Sequence, residues 1–147
     1  MSIFSEIEQD KIAAAISLAE KTTSGEIRIA IDKHCEGDAF EKAVEYFGKL
    51  DMHNTALRNG VLIYLAHVDH KFAIVGDSGI NKVVPNDFWD TAKIAMTAHF
   101  AKGDLADGLV AGISLAGEQL ASFFPPQAGD INELPNDIVY LDRKDNK

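Results

Sequence analysis

The segment NGVLIYLAHV, residues 59–68, is an almost unbroken apolar run. A strand with one face in water alternates apolar and polar residues, whereas a run of this kind is covered on both faces. The chain must therefore place helices on both sides of a sheet. Asp69-His70 then supplies a tight turn, and KFAIVG (71–76) returns as the second arm of a hairpin. Upstream, EIRIAID (26–32) sets Ile27, Ile29 and Ile31 in strand alternation. After a turn at Glu36-Gly37-Asp38, Phe40, Ala43, Val44, Phe47 and Leu50 follow helical spacing. A strand, a helix and a strand in that order predict a parallel pair with a right-handed crossover.

Helices flank this unit in the sequence. Ser5-x-x-Glu8 reads as a capping box, with Ile7, Ala14 and Leu18 continuing an apolar stripe to about Lys21. Pro85, Asn86 and Asp87 predict a helix start, followed by Phe88, Ala92, Met96 and Phe100 on one face. Phe88 and Trp89 are expected in the core. Gly103 ends that helix and Asp104 can cap the next, whose stripe is Leu105, Leu109, Ile113, Ala116 and Leu120. Gly108 and Gly112 let it approach a neighbour closely, at some cost in helix propensity. The expected fold is α/β: a three-layer α/β/α sandwich whose small mixed sheet holds a βαβ unit and a β-hairpin. With 147 residues, 46% of them hydrophobic and 25% charged, the chain suits one compact domain. Residues 1–124 are expected to form it, and 125–147 a C-terminal tail with a short strand at 138–141.

A net charge of −9 leaves no basic stripe to replace the counterions of a nucleic acid. It also disfavours anionic membranes, and bare phosphate substrates unless a bound cation screens them. No apolar run reaches the length of roughly 20 residues that spans a bilayer, so no direct membrane insertion is expected. The start MSIFSEIEQDKIAAA does not read as a secretory signal. Cys35 is the only cysteine, which excludes an intramolecular disulfide framework and a cysteine-rich zinc site. A soluble, cytoplasmic protein is expected.

Topology gathers separated residues. The third strand runs back, so its end at Gly76-Asp77 lies level with the starts of the first two, which carry Ser24-Gly25-Glu26 and Arg58-Asn59-Gly60. Glu26, Asn59, Asp77 and Ser78 thus share one edge. Asp104 and Asp107 join them if the helix starting at Asp104 faces that edge. Oxygen donors beside glycines suit a hard cation: calcium takes six to eight oxygens flexibly, and magnesium demands a stricter octahedron. Without Cys or His, the set disfavours zinc and copper. Asp77 and Asp104 equally suit the capping of turns and helices. The opposite edge offers Asp32, His34, Cys35, Glu36 and Asp38, read as a solvated loop because neighbouring His34 and Cys35 diverge in an extended segment.

GDSG (76–79) surrounds the nucleophile of trypsin-like proteases, but Ile80 follows it and no partner segments accompany it. Phosphate-loop, zinc-protease, GxSxG and cysteine-phosphatase patterns are absent from the sequence. Arg58 and Lys102 are cations that could orient an anion near the acidic edge or form simple ion pairs.

SGEIRIAI (24–31), RNGVLIYLA (58–66), FAIVGDSGI (72–80) and FAKGDLADGLVAGI (100–113) resemble, in order and spacing, the blocks of the TPM domain. The resemblance runs from about Lys11 to Phe124, and NELPNDI (132–138) is similar to the ending of short soluble members. It implies the same three-layer sandwich and a divalent cation, calcium first and magnesium second, bound by acidic residues. Glu26, Asn59, Asp77, Asp104 and Asp107 lie in or beside the matching blocks. A plant relative is described as an acid phosphatase in photosystem repair, and others modulate membrane-protein complexes. Two functions follow. The first is a calcium-binding accessory module that docks another protein. The second is a metal-assisted phosphatase acting on phosphate monoesters, with Asp104 or Asp107 as general acid or base. Many relatives carry a signal peptide, a transmembrane segment and a glycine-rich tail that this sequence does not show, which sets an envelope or thylakoid role apart from this chain.

Overall fold

The computed structural model describes residues 3–126 and 138–141. Most of NELPNDI and of the 125–147 tail lies outside the described residues. In chain order the elements are α1 (Glu6–Thr22), β1 (Glu26–Asp32), α2 (Ala39–Lys49), β2 (Gly60–Ala66), β3 (Lys71–Gly76), α3 (Ser78–Asn81), α4 (Asp90–Ala101), α5 (Leu105–Ala121) and β4 (Val139–Tyr140). The class is α/β, with a four-stranded mixed sheet and five helices among the described residues, consistent with the α/β sandwich class. The chain groups into two compact units: Met1–Gly25 with Val84–Ile131, and Glu26–Val83 with Asn132–Lys147.

The second unit holds the sheet, in the order β3-β2-β1-β4. β1 and β2 pair in parallel from Glu26 opposite Gly60 to Asp32 opposite Ala66. β3 returns antiparallel along β2, with Val61 opposite Gly76. β4 lies parallel on the other side of β1. Every residue of β2 is buried, which the apolar run requires of an inner strand. Under α2, Ala43 and Phe47 pack in a cluster with Ala30, Leu62, Tyr64, Ala73 and Val75. The hairpin loop spans residues 67–70, longer than the two-residue turn that Asp69-His70 suggests, and His70 adopts a left-handed φ of 55°. The main chain of His67 and Val68 continues toward β1, bonding to the carbonyls of Asp32 and Lys33, so the strand pair outlasts the regular ladder.

The first unit is helical. Ser5 and Glu8 close the capping box reciprocally at 3.1 and 3.0 Å. α1 buries Ile12, Ile16 and Ala19, not the expected stripe: Ile7 is 75% exposed and Leu18 also faces outward. The helix carries two apolar stripes, and packing selects the one with the branched pair Ile12 and Ile16. α4 begins at Asp90, five residues after Pro85. Residues 86–89 form a turn closed by Phe88 N–H to Pro85 O and Asp90 N–H to Asp87 O, so the proline starts the turn rather than the helix. Phe88 and Trp89 are buried, their rings edge to face at 4.7 Å. The α4–α5 contact is close because Gly108 and Gly112 have no side chains. A Cβ at Gly108 would sit 2.4 Å from the Phe100 ring, and one at Gly112 would sit 2.4 Å from Met96 Sδ. Among the described residues, no helix is long and apolar enough to cross a membrane.

Candidate functional site

Beyond the ladder, backbone bonds draw three segments together at the end of the sheet where β1 and β2 begin. Glu26 N–H donates to Asn59 O at 3.3 Å, Asp77 N–H to Gly60 O at 3.0 Å, and Gly79 N–H to Arg58 O at 2.9 Å. Glu26, Asn59 and Asp77 are therefore neighbours along one edge, and all three are buried. Buried polar side chains at a strand end carry a desolvation cost that calls for partners.

Asp77 has several. Its Oδ1 accepts the Ser78 N–H at 2.7 Å, which caps α3, and lies 2.9 Å from His53 Nδ1. Arg58 grips the same carboxylate twice, Nε donating to Oδ2 at 2.8 Å and Nη2 to Oδ1 at 3.1 Å. Such two-point, charge-assisted bonds are stronger than neutral ones. The side chain of Asp77 is 1% exposed, whereas that of Arg58 is 47% exposed. Burial pushes the Asp77 carboxyl up, but Arg58, the Ser78 amide and His53 more than offset it and hold it below the ordinary aspartate value. A depressed carboxyl contributes stability above its unfolded pKa, and that stability is lost as pH falls through the folded pKa. The stability difference between the native protein and Asp77→Asn is therefore expected to be full above about pH 5, past the ordinary aspartate range, and to be lost progressively as pH falls below that range. Urea melts of both at stepped pH measure it. A difference that stays constant across that window would show that the charge on Asp77 is not what stabilises the edge.

Asp104 and Asp107 belong to the helical unit. Asp104 stands at the N-cap of α5, but its side chain makes no capping bond. Asp107 bonds Lys11 Nζ on α1 at 2.8 Å, and that bond lowers its pKa. Among the described residues, no group of three or more His, Cys, Asp and Glu side chains is placed to hold a metal ion. At the sheet edge the oxygen-bearing side chains are those of Glu26, Asn59 and Asp77, and Asp77 already holds a positive charge, the Arg58 guanidinium.

The opposite edge is pinned rather than simply solvated. Asp69 Oδ2 accepts the Cys35 N–H at 2.7 Å, and Oδ1 meets His34 Nδ1 at 2.9 Å. Lys71 Nζ donates to the carbonyls of Cys35 and Gly37. Tyr64 OH donates to Asp32 Oδ2 at 3.1 Å, and Cys35 is buried. Each of these groups satisfies another, so the loop is explained by its own bonding. Glu36 and Asp38 are exposed, and Asp38 caps α2.

The TPM domain profile matches residues 1–119, most of the chain. The chain belongs to the TPM domain family. This TPM domain is 48% identical to the BA42 protein of the psychrophilic bacterium Bizionia argentinensis, whose NMR structure covers 95% of this chain and 96% of its own, with a TM-score of 0.89. The N-terminal domain of cg2496 from Corynebacterium glutamicum, also an NMR structure, is 14% identical and covers 93% of this chain and 80% of its own, with a TM-score of 0.64. At that identity it shows the fold alone. A search of curated proteins found no match.

Sequence reasoning places Glu26, Asn59 and Asp77 at one edge of this TPM domain but misses His53 as a partner of Asp77. The signal for Arg58 was present. Extending the β2–β3 register past Val61 and Gly76 sets residue 58 opposite residue 79, next to Asp77.

Proposed function

We propose that this TPM domain is an accessory module whose sheet edge binds a divalent cation, calcium first and magnesium second, and so orders a surface that docks another protein. The observation carrying this reading is the convergence of Glu26, Asn59 and Asp77, all buried, at one strand end, with a cationic group already seated on Asp77. A cation there would stabilise the folded state by mass action. Asp104 and Asp107 are not needed by it. A metal-assisted phosphatase would use Asp107 better as a base than as an acid, because Lys11 favours its ionised form. The accessory role asks for no such proton donor.

Calcium titrated calorimetrically into chelator-treated protein tests the proposal, with magnesium and Asp77→Asn as controls. Saturable binding that disappears in the variant, together with a melting temperature that rises with calcium, is expected. Folded native protein that takes up neither ion at millimolar concentration would remove the cation from the reading.

A further inference from the structure

We infer that the outer flank of α2 is a self-docking surface, on which a second copy of this chain pairs antiparallel about a two-fold axis at Val44. α2 turns Ala43 and Phe47 onto the sheet. Phe40, Val44 and Gly48, spaced four apart, form the ridge beside that buried face. Phe40 is 53% exposed and Val44 47%, and Gly48 is exposed as well. Large apolar side chains left in water on successive turns make a patch rather than scattered points.

Gly48 says what kind of surface it is. Glycine inside a helix costs propensity, so its presence calls for a reason. The single chain supplies none: Gly48 does not hold a positive φ, and a Cβ there would meet nothing within 4 Å. Gly108 and Gly112 in α5 show the contrast, since a Cβ on either would strike Phe100 or Met96 of the neighbouring helix. The open space over Gly48 has the same use for a side chain from outside the chain.

The ridge also identifies the visitor. In an antiparallel copy centred on Val44, Phe40 of one protomer lies over Gly48 of its partner, and the two valines meet at the axis. Such a contact is self-complementary, as a two-fold interface requires. Charge follows the same order. Glu41 stands in the first turn of α2 and Lys49 in the last, both exposed, so the antiparallel copy sets each Glu41 beside the other protomer's Lys49. A parallel copy would set like charges together. Lys49 Nζ already holds Glu45 at 3.1 Å, and an ammonium with three donors can take a second carboxylate. The net charge of −9 disfavours an anionic lipid surface as the occupant. One helix ridge per protomer is a small interface against the standard of about 800 Å² per partner, so the pair is weak, with a Kd on the order of 100 µM.

Sedimentation equilibrium of the whole chain from about 10 µM to about 1 mM tests the pairing across that Kd. The native protein is expected to pass from monomer to dimer over this range. Gly48→Gln adds a side chain where the single chain has room, so it should keep the melting temperature at low concentration yet weaken association by about tenfold or more, because the place of Phe40 is filled. Glu41→Lys and Lys49→Glu should each weaken association by roughly threefold, and the two together should restore it. A native protein that is monomeric at the highest concentration would overturn the proposal. So would a dimer indifferent to Gly48→Gln, which must form through another face. A double exchange that fails to restore association would overturn the antiparallel arrangement.

Discussion

Replacing Gly79 with alanine is expected to destabilise the protein by about 3 kcal/mol, at the upper end of ordinary overpacking. A Cβ there would lie 2.2 Å from the Leu57 carbonyl oxygen and 2.6 Å from that of Arg58. Both obstacles are backbone, so no side-chain rotation relieves them. The Gly79 N–H donates to that same Arg58 carbonyl, and separating the two segments would stretch a bond on which the edge is built. Arg58 would be drawn off Asp77 in the same movement. Gly48 serves as the control. It lies within α2, and a Cβ added there meets nothing within 4 Å. Gly48→Ala should therefore stabilise by about 0.5–1 kcal/mol through helix propensity alone. Urea denaturation of the two variants measures the contrast. A Gly79→Ala protein as stable as the native chain would mean that residues 57–59 shift without cost, and the edge would lose its claim to rigidity.

Much of this edge was legible before any coordinates. The unbroken apolar run at 59–68 identified an inner strand, and the hairpin after it fixed the direction of β3. Direction alone then set Asp77 beside the starts of β1 and β2. What the sequence concealed has local causes. Nothing in DSGIN distinguishes a turn from the four-residue helix α3, because a single turn carries no periodicity to read. In α1, Ile7 and Leu18 looked as apolar as Ile12 and Ile16, and only packing against a neighbour decides between two stripes on one short helix. Pro85 suggested a helix start because proline is equally at home one turn before a helix. His53 could not be assigned to Asp77 because it lies in an irregular connection, where strand register says nothing.

Asp77→Ala is expected to cost about 2–3 kcal/mol, the worth of charge-assisted bonds and a lost cap rather than of a stranded charge. The distinction follows from exposure. Breaking a buried ion pair leaves its other member uncompensated, and such losses reach roughly 3–5 kcal/mol. Here the remaining members are Arg58 and His53, whose side chains are about half exposed and can turn to water. The damage is confined to the space left by a buried carboxylate and to the Ser78 amide it capped. Asp77→Asn should cost less, about 1–2 kcal/mol, since an amide oxygen can still accept from Ser78 while the charge is gone. Denaturation midpoints of the two variants at neutral pH rank them. If alanine proved far worse than this, Arg58 would be locked in place rather than free to turn to water. If asparagine is as mild as expected, a loss of calcium uptake in that variant relative to the native protein would report the missing charge rather than a damaged fold.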